Sequence, residues 1–370
     1  MRYNPPGNVK FEILTPELAT FASALAVSSF DPNARSTFID VSPDLSTPYS
    51  HQYNFSWEPF AASRWKLQLG YVGSRSHKLL YMWYTNRARP LDGVAQSTAT
   101  ITQRRPDAAR FDVRRIINGS RAYFDAGRVT FAIPRWRGLS LDAAYWFSKA
   151  IDLGAAYSNT ATGEDGRQSI SQSESLVHQD MKGPSVFDQA HAFLVRGSFT
   201  TPALPSPWGR ASRWWGRWDL SLIVLAKTGT PFTVASGSDS PGFGNVDGDN
   251  GDRPNLLDPS VLGRSIAHPD TALARLPRAA FAFIRLNETR GNLGANTFRK
   301  DGITNLNASL ARSWSIGGDR KLALRAESIN LFNTPQFAEP GKELTSPNFG
   351  AITNTLNDGR AFRFQAKVEF

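Results

Sequence analysis

The chain closes on AFRFQAKVEF, in which Phe362, Phe364, Ala366, Val368 and Phe370 share one parity and Arg363, Gln365, Lys367 and Glu369 the other. A two-residue period belongs to an extended strand with one apolar and one polar face. It restricts the fold severely, because every strand needs hydrogen-bonded neighbours and each face needs a suitable medium. The pattern recurs upstream. RWKLQLGYV places Trp65, Leu67, Leu69 and Tyr71 on one face, and YSHQYNFSW before it does the same with Tyr49, Tyr53, Phe55 and Trp57. GRVTFAIP and GLSLDAAYWFSKAID alternate on either side of the short PRWRG connection. FLVRGSF, WDLSLIVLAK, NLNASLARSW and KLALRAES complete the set, the last two joined across SIGGDR. The expectation is an all-β, antiparallel chain of about nine strands. Each has about ten residues, the length a tilted membrane-crossing strand needs. A soluble sandwich would also alternate, so alternation by itself leaves both open.

The connections separate the two. Those around 60–63, 134–138, 201–216 and 316–320 are short to moderate, whereas 75–120, 149–188, 229–302 and 333–359 are long and rich in Gly, Pro, Asn, Asp and Ser. Compact soluble domains seldom carry four such loops; outer-membrane barrels pair short periplasmic turns with long external loops. Tryptophan sorts the same way. Of ten, only Trp83 and Trp146 lie away from the short connections; Trp57, Trp65, Trp136, Trp208, Trp214, Trp215, Trp218 and Trp314 lie at or near them. Trp prefers a membrane–water boundary. The expectation is an interfacial belt carried by Trp57, Trp65, Trp136, Trp218 and Trp314.

Composition excludes other classes. The longest apolar run, LSLIVLA, is too short for a spanning helix, and MRYNPPGNVK has no apolar core of a signal peptide. The absence of cysteine removes disulfide scaffolds and thiolate sites. A net charge of +10 raises nucleic acid as a partner, but no basic stripe or aromatic-interleaved motif accompanies it, and none is expected to bind. The densest cluster, Arg104, Arg105, Arg110, Arg114 and Arg115, reads as a solvated external loop, with lipopolysaccharide phosphate as an alternative contact.

With short turns periplasmic, the last strand runs inward and Phe370 sits at the periplasmic rim. Counting back, the first strand starts near 49 and residues 1–48 form the tail of an external loop. Single-chain bacterial barrels normally have an even strand number. An odd count is expected of a partial barrel, with an N-terminal part, and a first strand for the last one to close on, missing. Open edges in lipid leave backbone groups unsatisfied, so the chain alone is not expected to form a stable pore.

Several stretches, in order, resemble the outer-membrane barrel of TonB-dependent receptors, most closely the Oar-like subgroup whose longer members carry a carboxypeptidase-regulatory-like domain. They are TPYSHQYNFS, GYVGSRSHKL, GLSLDAAYWFSKAID, KTGTPFTV, GDRPNLL, RGNLGANTFRKDGITNLNASL, LRAESINLFNTPQF and the closing strand. The resemblance covers 49–370 and implies a barrel of about 22 strands, of which these would be the last. It implies ligand capture by external loops and passage driven through TonB by a plug. Plug, TonB-contact segment and regulatory-like domain are expected on chain outside this one. VFDQAHAF departs from the resembled pattern: it keeps Asp188 and His191 but lacks the usual Arg.

Candidate sites are few. Asp247, Asp249 and Asp252 in DGDNGDRP could chelate Ca²⁺ with loop carbonyls, although no bidentate Glu follows as in an EF-hand. No catalytic motif is present, so an enzyme is not expected. The inward parity collects Lys66, Arg128, Asp219, Lys227, Arg325, Glu327, Arg363, Lys367 and Glu369. These residues solvate a wet lumen, pair across strands or meet a plug. Phe362, Phe364, Val368 and Phe370 resemble the signal read by the barrel-assembly machinery, by strand addition. Besides a receptor segment, two readings stand: an adhesive surface protein without transport, and a soluble all-β carbohydrate-binding or hydrolytic domain.

Overall fold

The computed structural model describes residues 35, 37–61, 64–153, 172–173, 178–203 and 216–370. Its strands are β1 (Thr37–Val41), β2 (Tyr49–Ala61), β3 (Lys66–Tyr84), β4 (Asp112–Trp136), β5 (Leu139–Leu153), β6 (Lys182–Pro184), β7 (His191–Thr200) and β8 (Asp219–Lys227). There follow β9 (Pro231–Phe232), β10 (Asn255–Leu256), β11 (Ser265–Ile266), β12 (Phe281–Ala282), β13 (Phe298–Lys300), β14 (Ile303–Gly317), β15 (Arg320–Ile329) and β16 (Ala361–Glu369). One sheet runs β16-β15-β14-β8-β7-β5-β4-β3-β2, each strand antiparallel to the next. β1 adds in parallel to the far end of β4, and β6 to the end of β5. Among the described residues, β2 and β16 are open edges.

Register explains the alternation. Leu139, Phe199, Leu220, Leu310, Ala326 and Phe364 lie opposite one another in turn, an apolar row across six strands. Gly70, Arg128, Trp146, Ala192, Lys227 and Ile303 form a row of the other parity. Asp219, Ala311, Arg325 and Gln365 form another row of that parity, and Glu327 faces Arg363. Lys66, Lys367 and Glu369 fall on this same face. A one-residue slip anywhere would exchange the faces. β4 avoids that at its end with a bulge between Ile133 and Trp136, which returns Trp136 to the apolar side opposite Leu139.

The apolar face is uncovered. Phe55, Phe147, Leu222 and Phe364 are 65, 58, 44 and 81% exposed. Its short-turn end carries the tryptophans: Trp65 packs on Phe60 at 5.4 Å, and Trp218 meets Trp314 edge-on at 5.9 Å. Trp57 and Trp136 are exposed beside them; Trp208, Trp214 and Trp215 lie outside the described residues. Sequence reading overlooked Arg312, which shares this face between Leu310 and Trp314. Its guanidinium lies 5.5 Å from the Trp218 ring and 5.0 Å from Trp314, and it is buried beneath them.

The strands outrun the expected boundaries. β3 continues to Tyr84 and β4 begins at Asp112, so the connection expected over 75–120 spans only 85–111. β5 likewise continues to Leu153, past the expected start at 149. In these extensions the apolar parity carries Arg75, His77, Asp125 and Lys149. Pairing therefore persists where the hydrophobic contrast has ended. Arg75 forks onto Asp125 at 2.9 Å through both Nη2 contacts, and Tyr71 donates to the same carboxylate at 2.5 Å. Of the stretch 1–48, residues 37–41 are strand rather than loop.

Adjacent residues of β8 test the face assignment. Leu222→Arg should cost about 2–4 kcal/mol at the middle of the band, while Ser221→Arg on the opposite face should cost far less. Urea titration of refolding into lipid vesicles, followed by heat-modifiable gel migration, measures both.

Candidate functional site

Among the described residues, the long connections 85–111, 228–302 and 330–360 leave the sheet at one end, and they are not loose. The segments 228–302 and 330–360 share one buried core. Phe232, Val234, Val261, Ile266, Leu276, Phe281, Leu293 and Phe298 come from the first, and Leu344 and Phe349 from the second. Around this core β11, β13 and β9 form a small sheet, and β10 pairs β12. Local signals start the short elements. Asp258 accepts from Ser260 N at 2.9 Å ahead of Pro259, and His268 Nδ1 from Asp270 N at 3.3 Å ahead of the helix Pro269–Arg275. Two glycines of the motifs singled out above permit backbone crossings. A Cβ at Gly229 would lie 1.8 Å from the Lys300 carbonyl, and one at Gly291 would lie 2.0 Å from that of Arg253. These connections are therefore a folded cap, not the open loops expected.

Arginines lock the cap to the 85–111 connection, and the reading of 104–115 as a solvated loop fails for Arg104 and Arg105, which are buried. Arg104 is buried and donates to Val246 O at 2.5 Å, and Arg105 is buried and donates to Asn86 O at 2.6 Å. Arg110 pairs with Asp107, Arg114 with Asp112 and Arg115 with Asp40, at 3.1, 2.8 and 2.6 Å. Carbonyls enclose Arg104 and Arg105, whereas Arg110, Arg114 and Arg115 stay partly exposed beside their carboxylates. The central tie is Arg87, fully enclosed, with Nη2 2.7 Å from Asp247 and 2.8 Å from Gln172 O. Nothing in the sequence spacing marks Arg87, because its partner lies far along the chain.

The three candidate cation ligands diverge. Asp247 faces Arg87 and also accepts from Asn245 Nδ2 at 3.1 Å. Asp249 Oδ1 accepts from Gly251 N at 2.8 Å. Asp252 Oδ2 accepts from Asn245 N at 2.8 Å, while its buried Oδ1 has no partner. Among the described residues no three His, Cys, Asp or Glu side chains converge as a metal would need. The Arg87 guanidinium brings positive charge to the cluster, at Asp247. Burial, and then the Asp247 charge, push the Asp252 carboxyl up to about 8. Burial also raises Asp247, against the pull of Arg87.

The GDRP arginine, Arg253, donates to Leu293 O at 2.8 Å and to Asp180 O at 2.7 Å. Asp188, which lacked its expected Arg in sequence, receives one from a distant motif: Arg299 bonds its carboxylate, and Asp188 also accepts from Ala150 N at 2.6 Å. His191 meets Tyr145 Oη at 2.7 Å.

On the polar face of the sheet, Arg325 reaches Glu327 at 2.5 Å and Lys367 reaches Glu369 at 2.7 Å. Both pairs run along a strand rather than across strands. Phe362, Phe364, Val368 and Phe370 are exposed on the edge strand β16, whose one described neighbour is β15.

A family model described as outer membrane beta barrel domain matches residues 1–364. Among solved structures, the chain is similar to the outer membrane transporter YddB from Escherichia coli, at 10% identity and a TM-score of 0.45, covering 91% of this chain and 34% of that one. For the FrpB iron transporter from Neisseria meningitidis the values are 11%, 0.40, 89% and 32%. For P. aeruginosa FpvA bound to heterologous pyoverdines they are 10%, 0.37, 87% and 27%. The chain spans about a third of the length of these structures. No curated protein matches it.

Two substitutions probe the cap. Arg87→Met leaves Asp247 buried without its countercharge and should destabilise the cap by about 3–5 kcal/mol, read as faster hydrogen exchange and protease nicking within 228–302. Asp252 holds its proton more tightly folded than unfolded. Its stabilising contribution is full below the ordinary carboxylate range and is lost as pH rises toward about 8. Protection of the cap should fall over that window, and Asp252→Asn, fixed in the neutral form, should flatten the fall.

Proposed function

The chain belongs to the outer membrane beta barrel domain family, and on that premise we propose that it is receptor wall and cap: the C-terminal barrel segment of a TonB-dependent, Oar-like receptor that captures a ligand at the cell surface. Its location is the outer membrane of a Gram-negative bacterium, which removes the freely soluble reading. The observation that carries the proposal is the uncovered apolar face. It is limited at the short-turn end by Trp65, Trp136 and the Trp218–Arg312–Trp314 stack. At the other end it is limited by the Arg75–Asp125 pair. From Trp65 to Arg75 is ten positions on β3, the length of one tilted crossing. Charge at both limits is tolerated because headgroups and water begin there.

In this reading the short turns are periplasmic and the cap is external, with 1–48 leading in from outside and 49–370 forming wall and cap. The polar face lines the lumen, where Lys66, Arg128, Asp219 and Lys227 remain wet or meet a plug on chain outside this one. Two edges open among the described residues support an N-terminal part of the barrel on chain outside this one, since unpaired backbone is costly in lipid. Phe362, Phe364, Val368 and Phe370 would be read by the barrel-assembly machinery as an exposed edge strand. Passage would require TonB acting through that plug. Lipopolysaccharide phosphate would then be met by the exposed parts of Arg110 and Arg115 and by Lys149 at the upper rim.

The chain has no native cysteine, so single cysteines report topology cleanly. In intact cells an impermeant maleimide should label Leu257→Cys in the cap and leave Gly318→Cys, in the β14–β15 turn, unlabelled until the outer membrane is opened. The reverse pattern would overturn the orientation. The purified chain alone should give no discrete single-channel conductance in planar bilayers; a steady unitary current would contradict the open-edge reading.

A further inference from the structure

The cap encloses a cavity of about 370 Å³ at its join with the sheet. Its apolar lining is Pro231, Phe232, Val186 and Ala235, brought together by the start of the 228–302 segment and the turn after β6. Its charged lining is Arg253, Lys300, Lys342 and Glu339. Two of these cations are already balanced: Arg253 lies 3.3 Å from Asp180, and Lys342 lies 2.8 Å from Glu339. Lys300 is the exception. Its backbone is fixed in β13, opposite Ile266 and bonded to Thr230 O at 3.1 Å. Its ammonium makes no ion pair or hydrogen bond among the described residues. Asn250 adds a side-chain amide at the same cavity, with its Oδ1 engaged by Asp239 N at 3.1 Å and its Nδ2 available to donate. Asn296 is engaged at both ends of its amide, Nδ2 donating to Pro184 O and Oδ1 accepting from Thr233 Oγ1.

We propose that this cavity binds a small amphipathic carboxylate, the apolar body against Pro231, Phe232 and Val186 and the carboxylate on Lys300 and Asn250. One uncompensated cation with one amide donor matches a monoanion. A dianionic phosphate would call for more donors, and a sugar would not use an apolar floor. The volume lies at the small end of ligand pockets, which suits a short arylalkyl or aliphatic acid. The proposal names the ligand class for the external cap and so rests on the reading of that cap as the capturing end.

The test uses the full chain folded in detergent, titrated by isothermal calorimetry with 4-phenylbutyrate, its neutral amide and inorganic phosphate. The acid should bind saturably, the amide about tenfold more weakly, a difference of about 1.4 kcal/mol, and phosphate not measurably. Lys300→Gln should reduce the acid to the level of the amide, and Lys300→Arg should retain most of the binding. Val186→Trp, which fills the apolar half, should weaken acid and amide alike while heat-modifiable migration shows an intact fold. Equal binding of acid and amide, an unchanged Lys300→Gln protein, or no saturable binding by the parent chain would each overturn the proposal; so would phosphate binding at Lys300. These readings are independent of cysteine labelling in cells. A cap that faces inward would refute the receptor orientation while leaving the pocket result intact, and a failed titration would leave the orientation intact.

Discussion

The structure depends on one constraint: backbone amides on a sheet in lipid can be satisfied only by neighbouring strands. Everything on the wall follows from keeping that ladder continuous while holding all apolar side chains on one side. The row from Leu139 to Phe364 is continuous because six strands agree on a single register. The Trp136 bulge shows how strictly parity is kept, since an irregular turn entry is corrected within three residues. Arg312 shows one way a charge is admitted on that side, and the Arg75–Asp125 pair shows another. Arg312 lies at the end of the band, faced by Trp218 and Trp314, whose rings offer it their negative π faces.

A wall of this kind needs no core of its own, and the buried hydrophobic cluster lies elsewhere, in the cap. The division has a physical logic. Lipid serves the apolar side of the sheet as a core would, whereas segments that leave the membrane must bury apolar groups against each other. A connection as long as 228–302 would carry a large ordering cost as open chain. It offsets that cost with Phe232, Phe281, Phe298 and their neighbours, then recruits 330–360 through Leu344 and Phe349. Buried arginines extend the unit to 85–111. Arg87 replaces water by the Asp247 carboxylate and a carbonyl, and Arg104 and Arg105 by carbonyls.

The wall was legible because its physics is local. Period-two alternation, short turns and tryptophan placement each act over a few residues, and together they give the strand order and both faces. The strand ends were less legible. Hydrophobic contrast marks the lipid band, but β3 and β4 go on pairing above it, where Arg75 and Asp125 occupy the formerly apolar parity. The cap was the least legible part. Its core residues come from two segments with no common period, and its ties join residues far apart, such as Arg87 with Asp247 and Asp188 with Arg299. A signal was nevertheless present. Phenylalanines and leucines recur among the glycines and asparagines of 229–302, and structureless connections of that length are rare. Reading Arg104 and Arg105 as surface followed from counting charge without knowing their partners.

The closing strand joins the two halves of this logic. β16 has a complete register with β15 on one side and none on the other, so every residue of it is exposed. Its parity is nonetheless kept to the last residue, with Phe362, Phe364 and Val368 on the apolar face and Arg363, Lys367 and Glu369 on the polar one. An edge intended for water is usually blunted by inward charge, proline or a bulge. β16 carries charge on its polar face only, with no proline and no bulge in its pairing with β15. A well-registered edge of this kind is a template for another strand. The apolar parity that lets the strand face lipid thus lies along the same edge that leaves its backbone groups without a described neighbour.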